Sequence, residues 1–472
     1  MKTTVNAAWL IGCRVAADFL SFLLFIAISR QFGPEGIGTY SYAFAVSTIG
    51  FVISGLGIEG YGVREYTRLE PRHGSALVAD LLGAQILVVI LTVLALAFYL
   101  RITGGSLTII GIVMSLAAYQ IASAFSRTLF IPANAGQAMI GPAVTELCCR
   151  GGAIVVAMVS IAFLNSSLLV ALIGYPVFGV TLVVAAAFSA RRFSGSVSVN
   201  REPKAIRERI GVLWSFAVAE ALVQVFIRIG LVVLTLSAGA EVAGLYATGL
   251  KFMELALMPL VFMGLAIYPR LSQLSGSNDD ALLHASSQFL AVASMMTGVV
   301  IWGLYFVVPL VLVPLLGPRF KSTVPVLHMM TGLALVQAGE VVLVRLLLAT
   351  DLQISRLRII AIGTLLNIAL MVVMVPYWHI TGAVAAGIVA LAAVDVGYAL
   401  ALSRSLRSVF VRCACSLMAG LTVAAGITWL MFHYGATYWI TAAAFIVFFL
   451  SVAAISLWSV QRSRPEAMTA SP

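Results

Sequence analysis

The chain has 472 residues, of which 61% are hydrophobic and 10% charged, and its mean hydropathy is +1.07. Soluble domains carry roughly a quarter charged residues, so this composition cannot clothe a water-soluble protein of 50.0 kDa; it excludes a cytosolic enzyme, a nucleic-acid binder and a disordered chain. The +10 net charge, from 28 basic and 18 acidic residues, would suggest nucleic acid in a soluble protein; here the question becomes which side of a bilayer the charges occupy.

A helix needs about 20 mainly apolar residues to cross about 30 Å of hydrocarbon. Runs of that size fall at 7–29, 38–60, 76–100, 106–130, 143–163, 167–189, 213–237, 243–267, 286–315, 324–349, 358–376, 381–402, 411–432 and 437–459. They lack the strict alternation of a membrane barrel. The sequence therefore predicts an all-α integral membrane protein of about fourteen transmembrane helices, or twelve to thirteen if a run is re-entrant. With the N-terminus inside, eighteen Lys and Arg residues fall in inner segments and four in outer ones, Arg30, Arg101, Arg319 and Lys321. Both termini are thus expected to face the cytoplasm. The first span carries Arg14 and Asp18 and is followed by no small-residue cleavage site, so it is expected to remain as an anchor.

The five cysteines, Cys13, Cys148, Cys149, Cys413 and Cys415, sit in or beside spans and give neither a disulfide framework nor a metal spacing. The histidines, His73, His284, His328, His379 and His433, are scattered near span ends and read as interfacial or loop residues. No cofactor or metal is expected. The outer loops are too short for an external catalytic domain. The inner stretch 190–212 reads as a half-to-half linker with a basic amphipathic lead-in suited to anionic lipid, and holds no phosphate loop or catalytic triad. Transport is the expected class rather than enzymatic activity. A membrane-embedded polymerase or ligase is the alternative, though it would want a long polar outer loop.

Residues 33–40, Gly-Pro-Glu-Gly-Ile-Gly-Thr-Tyr, and 239–246, Gly-Ala-Glu-Val-Ala-Gly-Leu-Tyr, share G-x-E-x-x-G-x-Y at an offset of 206. The same offset carries Arg64 onto Arg270. Six spans restore chain direction, so spans 1–6 and 7–12 read as parallel repeats. The expected organisation is an N-terminal lobe over 1–190, a basic cytoplasmic linker over 191–212, a C-terminal lobe over 213–403, and two appended spans with a cytoplasmic tail over 404–472. Glycines suit the tight link between helices, and Glu35 and Glu241 suit the helix starts that follow.

The opening Asn6-Ala-Ala-Trp-Leu with Arg14, then Ile28-Ser-Arg-Gln-Phe-Gly-Pro-Glu-Gly-Ile-Gly-Thr-Tyr, resembles the start of the Wzx-type polysaccharide repeat-unit flippases. Gly55-Leu-Gly-Ile-Glu-Gly-Tyr-Gly-Val-Arg-Glu-Tyr and Gly382-Ala-Val-Ala-Ala-Gly-Ile-Val continue that pattern. The family belongs to the multidrug/oligosaccharidyl-lipid/polysaccharide exporter superfamily. The resemblance implies two six-helix lobes in a V around a central cavity, alternating access, and an undecaprenyl-pyrophosphate-linked oligosaccharide as cargo. It further implies O-antigen or exopolysaccharide biosynthesis at the bacterial inner membrane, with other polysaccharide assembly proteins as partners. A multidrug cation antiporter of the same superfamily is the competing reading.

Ionisable residues within spans are functional candidates by default. The basic set is Arg14, Arg127, Arg150, Arg228, Lys251 and Arg345; the acidic set is Asp18, Glu146, Glu220, Glu254, Glu340 and Asp395. Arg14/Asp18 and Glu146/Arg150 are i,i+4 and Lys251/Glu254 is i,i+3, so each pair shares a helix face. Glu340 and Arg345 are five apart and are not expected to pair. A pyrophosphate needs positive charge, and arginine offers a forked donor. Arg14 and Arg228, from the first helix of each lobe, are the expected ligands, with Arg30 and Lys251 beside them. No ATP motif is present, so an H⁺ or Na⁺ gradient coupled through Asp18, Glu220, Glu340 or Asp395 is the expected energy source. Trp9, Tyr40, Tyr42, Tyr61, Tyr66 and Trp214 read as interfacial aromatics.

Overall fold

Within hydrocarbon every backbone N–H and C=O must be satisfied inside the chain, and long runs of leucine, alanine, valine and isoleucine answer this by forming helices. The computed structural model describes residues 2–447 and 449, apart from 56, 70, 165, 195–198, 201, 277–278, 434–436 and 438, and all regular structure among them is helical. The α-helices in chain order are α1 (Lys2–Gly55), α2 (Ile58–Tyr66), α3 (Pro71–Ile102), α4 (Leu107–Leu129), α5 (Ile131–Ala135), α6 (Ile140–Leu164), α7 (Leu168–Ala171) and α8 (Gly174–Ser194). There follow α9 (Pro203–Ala238), α10 (Ala240–Leu274), α11 (Asp279–Trp302), α12 (Val308–Leu316), α13 (Thr323–Ala349), α14 (Gln353–Ala401) and α15 (Arg404–His433).

Among the described residues, 11 helices are long and apolar enough to cross a membrane. The expected fourteen are not reached as separate helices. The runs 7–29 and 38–60 form the single α1, and 358–376 and 381–402 form the single α14; 437–459 extends beyond the described residues. The links are broken turns rather than loops. In α1 the break is Gly33 (φ 70°, ψ −162°), followed by Pro34: glycine permits the positive φ, proline excludes the helical conformation just before it and then opens the next helix. In α14 the break is His379 (φ 46°, ψ −121°), three residues after Pro376.

The chain divides into two compact units, Met1–Gly244 and Leu245–Pro472. In the first, α1 packs on α4, α6 and α9, and α4 packs on α8. Between its helices the buried Gln85 donates to the Ser54 carbonyl (3.2 Å) and accepts from the Thr128 hydroxyl (2.8 Å). The helix α9 begins at Pro203, inside the expected linker. Asn200 Nδ2 donates to Asp80 Oδ1 (2.8 Å), and Arg209 donates to Asp80 Oδ2 through Nε (3.2 Å) and to the Tyr61 hydroxyl through Nη1 (3.3 Å). Arg209, expected to meet lipid, is thus engaged by Asp80 on α3.

The repeated turn reappears in the backbone. Gly239 (φ 87°, ψ 171°) adopts the conformation of Gly33, 206 positions earlier. The residues that interlock lie in the first unit: a Cβ on Gly38 would overlap the Ala240 carbonyl, and one on Gly244 would overlap the Pro34 carbonyl. Each contact is the other displaced by the repeat offset, so the two turns meet about a local two-fold. Glycine is required at 38 and 244 because backbone meets backbone there.

In the second unit α13 packs on α14, and α11 packs on α15. Between α11 and α12 lies a widened π turn over Gly303–Val307. Pro309 lacks the N–H that would return to Tyr305, and the His328 ring hydrogen-bonds the Tyr305 backbone while stacking on its ring at 4.2 Å. His328, half-buried in the second turn of α13, thus packs on the π turn. A satellite core of Phe306, Ala424, Ala442, Phe445 and Phe449 fixes the chain after α15, with Trp302 Nε1 donating to the Ala442 carbonyl (2.8 Å).

Candidate functional site

Five helices of the first unit bring arginines and tyrosines together. Arg150 on α6 donates from Nη2 to Asp18 Oδ1 (3.4 Å) and to Ser21 Oγ (3.0 Å), both on α1. Tyr40 on α1 lies within the electrostatic reach of both Arg150 and Arg228 and shares a hydrogen bond with Tyr175 on α8. Tyr119 on α4 meets Tyr175 edge-to-face at 5.6 Å. On the far side Tyr40 stacks on Phe44 (6.2 Å), and the Arg228 guanidinium from α9 sits 4.9 Å over the Phe44 ring, its Nε donating to Gln224 Oε1 (3.3 Å). Arginine on an aromatic face is a stable, weakly hydrated cation. The result is an aromatic chain with the Arg228 guanidinium over one end and Arg150 within electrostatic reach of its three tyrosines.

This corrects the same-helix pairing expected for two of the three span pairs. Asp18 is bonded to Arg150 rather than Arg14, and Arg150 to Asp18 rather than Glu146. The reason is rotamer reach: an arginine on α6 finds a carboxylate on the packed α1 at no cost to its helix geometry. Lys251 and Glu254 do pair as expected, at 3.6 Å on α10. Arg14 is exposed on α1 and makes no hydrogen bond or ion pair among the described residues. Arg30 is exposed just before the Gly33 break, and Glu220 is exposed on α9. Of the expected ligands, then, Arg228 enters the cluster and Arg14 does not.

Arg150, Tyr119 and Tyr175 were not singled out by the sequence as ligands, and Tyr40 was read as interfacial. Their only sequence signal is polarity inside apolar runs; the partners are up to 132 positions apart.

The second unit holds a different cluster. Glu340 on α13 has Arg345 and Arg356 as its charged neighbours, and Asp395 and Tyr398 on α14 lie near Glu340. No ion pair forms between them among the described residues. Arg345 Nε, Arg356 Nε and Asp395 Oδ1 are buried without a hydrogen-bond partner. Asp395 Oδ2 rests on Gly339, where a Cβ would lie 2.9 Å from it, and the Arg345 stem rests on Gly264. Two carboxylates and two guanidiniums thus share one helix pair, α13 and α14.

Comparison with known proteins follows this geometry. Residues 4–275 match the profile of a family described as polysaccharide biosynthesis protein. No curated protein sequence matches. Among solved structures, the chain resembles the lipid II flippase MurJ in an inward closed conformation, with a TM-score of 0.70 and 13% identity over 96% of this chain and 98% of that one. It also resembles a multidrug resistance MATE family transporter of the MOP superfamily in an inward-facing conformation (TM-score 0.61, 12% identity, 86% and 94% covered). A MOP superfamily transporter from Pyrococcus furiosus is similar at TM-score 0.50 and 16% identity, with 89% and 94% covered. At such identities the likeness is one of fold.

Proposed function

Because the chain belongs to the polysaccharide biosynthesis protein family, whose profile it matches over more than half its length, we propose that it is a flippase for undecaprenyl-pyrophosphate-linked oligosaccharide repeat units. It carries them from the cytoplasmic to the outer leaflet of the bacterial inner membrane by alternating access, with both termini cytoplasmic, for surface polysaccharide such as O-antigen or exopolysaccharide. The division into lobes over 1–190 and 213–403, joined by a linker and followed by two appended spans, belongs to this proposal.

The observation that carries the reading is the Arg228 guanidinium over the Phe44 ring, at one end of an aromatic chain through Tyr40, Tyr175 and Tyr119 inside apolar helices. A pyrophosphate is the group such a guanidinium serves: a forked donor fits its oxygens, and tyrosine hydroxyls and ring faces suit the adjoining sugar. Arg228 is the ligand best supported among those expected, with the exposed Arg14 and Arg30 and the half-buried Lys251 as contacts along the route. A multidrug cation antiporter would place cations where like charge repels them. Movement in one direction needs an energy source, and H⁺ or Na⁺ coupling is best supported at Glu340 and Asp395, since Asp18 is committed to Arg150 and Glu220 is exposed.

Reconstituted vesicles loaded with lipid-linked repeat units test this. The expected result is flipping that falls at least tenfold in Arg228→Ala and slows when ion gradients are collapsed. Flipping by the empty lipid at equal rates in wild type and variant, or drug efflux with normal polysaccharide in a deletion strain, overturns it.

A further inference from the structure

Arg150 is held by one nitrogen. Its guanidinium has five N–H donors, of which Nη2 alone is used, toward Asp18 and Ser21; Nε and Nη1 make no hydrogen bond among the described residues. The contact to Asp18 is one-pronged and 3.4 Å long, whereas a charge-assisted N–H···O bond is ordinarily about 2.7–2.9 Å and strongest when forked. Both partners keep access to the outside, with 34% of the Arg150 side chain and 29% of that of Asp18 exposed. A buried arginine meant only to neutralise a carboxylate would close on it with both prongs. This one is loosely held, with Nε and Nη1 unused, and lies within electrostatic reach of Tyr40, Tyr119 and Tyr175.

We propose that Arg150 is a further ligand for the diphosphate headgroup, and that Asp18 is its internal competitor, a carboxylate that the diphosphate must displace. The inference rests on the flippase reading and deepens it. An Arg150 guanidinium with no carboxylate beside it would hold a diphosphate too tightly to release it. A carboxylate already in place makes loading an exchange of one anion for another, so the net gain is small and reversible; multi-site pathways require that balance. Ser21 keeps the guanidinium oriented during the exchange. Asp18 is thus a positioning residue acting through Arg150, and Arg150 is the ligand.

The test is binding of undecaprenyl diphosphate to the full chain in nanodiscs, with inorganic pyrophosphate as a second probe. Asp18→Asn is expected to tighten Kd about tenfold, and Arg150→Ala to weaken it tenfold or more. In the double variant Asp18→Asn should no longer tighten binding, a coupling that simple loss of structure does not produce. Arg150→Lys, which keeps the charge and loses the fork, should fall between wild type and Arg150→Ala and supplies the result should the alanine variant not fold. The Asp18→Asn gain is expected with inorganic pyrophosphate too, because the exchange concerns the headgroup.

Unchanged Kd in Asp18→Asn, tightening that persists without Arg150, or tightening confined to the lipid-linked probe each overturns the exchange. Binding lost in Arg228→Ala but untouched in Arg150→Ala and Arg150→Lys overturns this inference and leaves the flippase reading standing. No binding by the wild type removes both.

Discussion

In the first unit Asp18 and Arg150 meet at 3.4 Å and stay about a third exposed; in the second, Glu340, Arg345, Arg356 and Asp395 lie among one another without an ion pair among the described residues. The first arrangement has donors to spare. The second has polar atoms buried without partners on both acids and bases, at Asp395 Oδ1, Arg345 Nε and Arg356 Nε. An exposed, loosely paired charge can exchange partners with a ligand at little cost. A buried, unpaired one carries a desolvation penalty that neighbours offset only through the field. On the proposed reading the same residue types serve different ends, anion recognition in the first unit and ion coupling in the second.

The largest effect should come from removing a charge that the second cluster depends on. Glu340→Gln leaves Arg345 and Arg356 with one fewer counter-charge and should cost about 2 kcal/mol or more, read as a lowered apparent Tm in detergent. Asp395→Asn should behave oppositely. It removes a carboxylate repelled by Glu340 and keeps the seat on Gly339, so Tm should hold or rise while gradient-driven transport falls. If both variants lose the same stability, Asp395 is a structural partner and the contrast between the units fails.

In the first unit the corresponding neutralisation, Asp18→Asn, should cost less than about 1 kcal/mol, because the pair is partly exposed and Ser21 still holds Arg150. A Tm drop as large as that of Glu340→Gln would make the Asp18–Arg150 contact a structural ion pair and erase the distinction.

The sequence made the helices legible because apolar length and membrane thickness leave few alternatives, and the tight turn at Gly33 was readable from residue type. The two turns 206 residues apart share their backbone conformation at Gly33 and Gly239, and only glycine serves where Gly38 meets Ala240 and Gly244 meets Pro34. Cross-helix choice was not readable. Asp18 has Arg14 four residues away on its own helix, yet bonds Arg150 132 positions on, and periodicity along one helix carries no information about the face of another. The expected linker likewise concealed its tie to Asp80, because a basic stretch looks the same whether it meets lipid or a single carboxylate.

The smallest effect is expected outside both clusters. Lys251 and Glu254 pair at 3.6 Å on one helix face, with 26% and 46% of their side chains exposed. Such i,i+3 pairs contribute about 0.2–0.5 kcal/mol, so Lys251→Ala and Glu254→Ala should each leave Tm within about a degree of wild type. Lys251 was nonetheless an expected contact for the cargo, and function separates the two roles. As half of a local pair, its removal should change flipping no more than removal of Glu254 does. As a stop along the headgroup's route, Lys251→Ala should slow flipping while Glu254→Ala, which frees the ammonium, should not. The second outcome would extend anion recognition into the second unit and narrow the contrast to the buried cluster on α13 and α14.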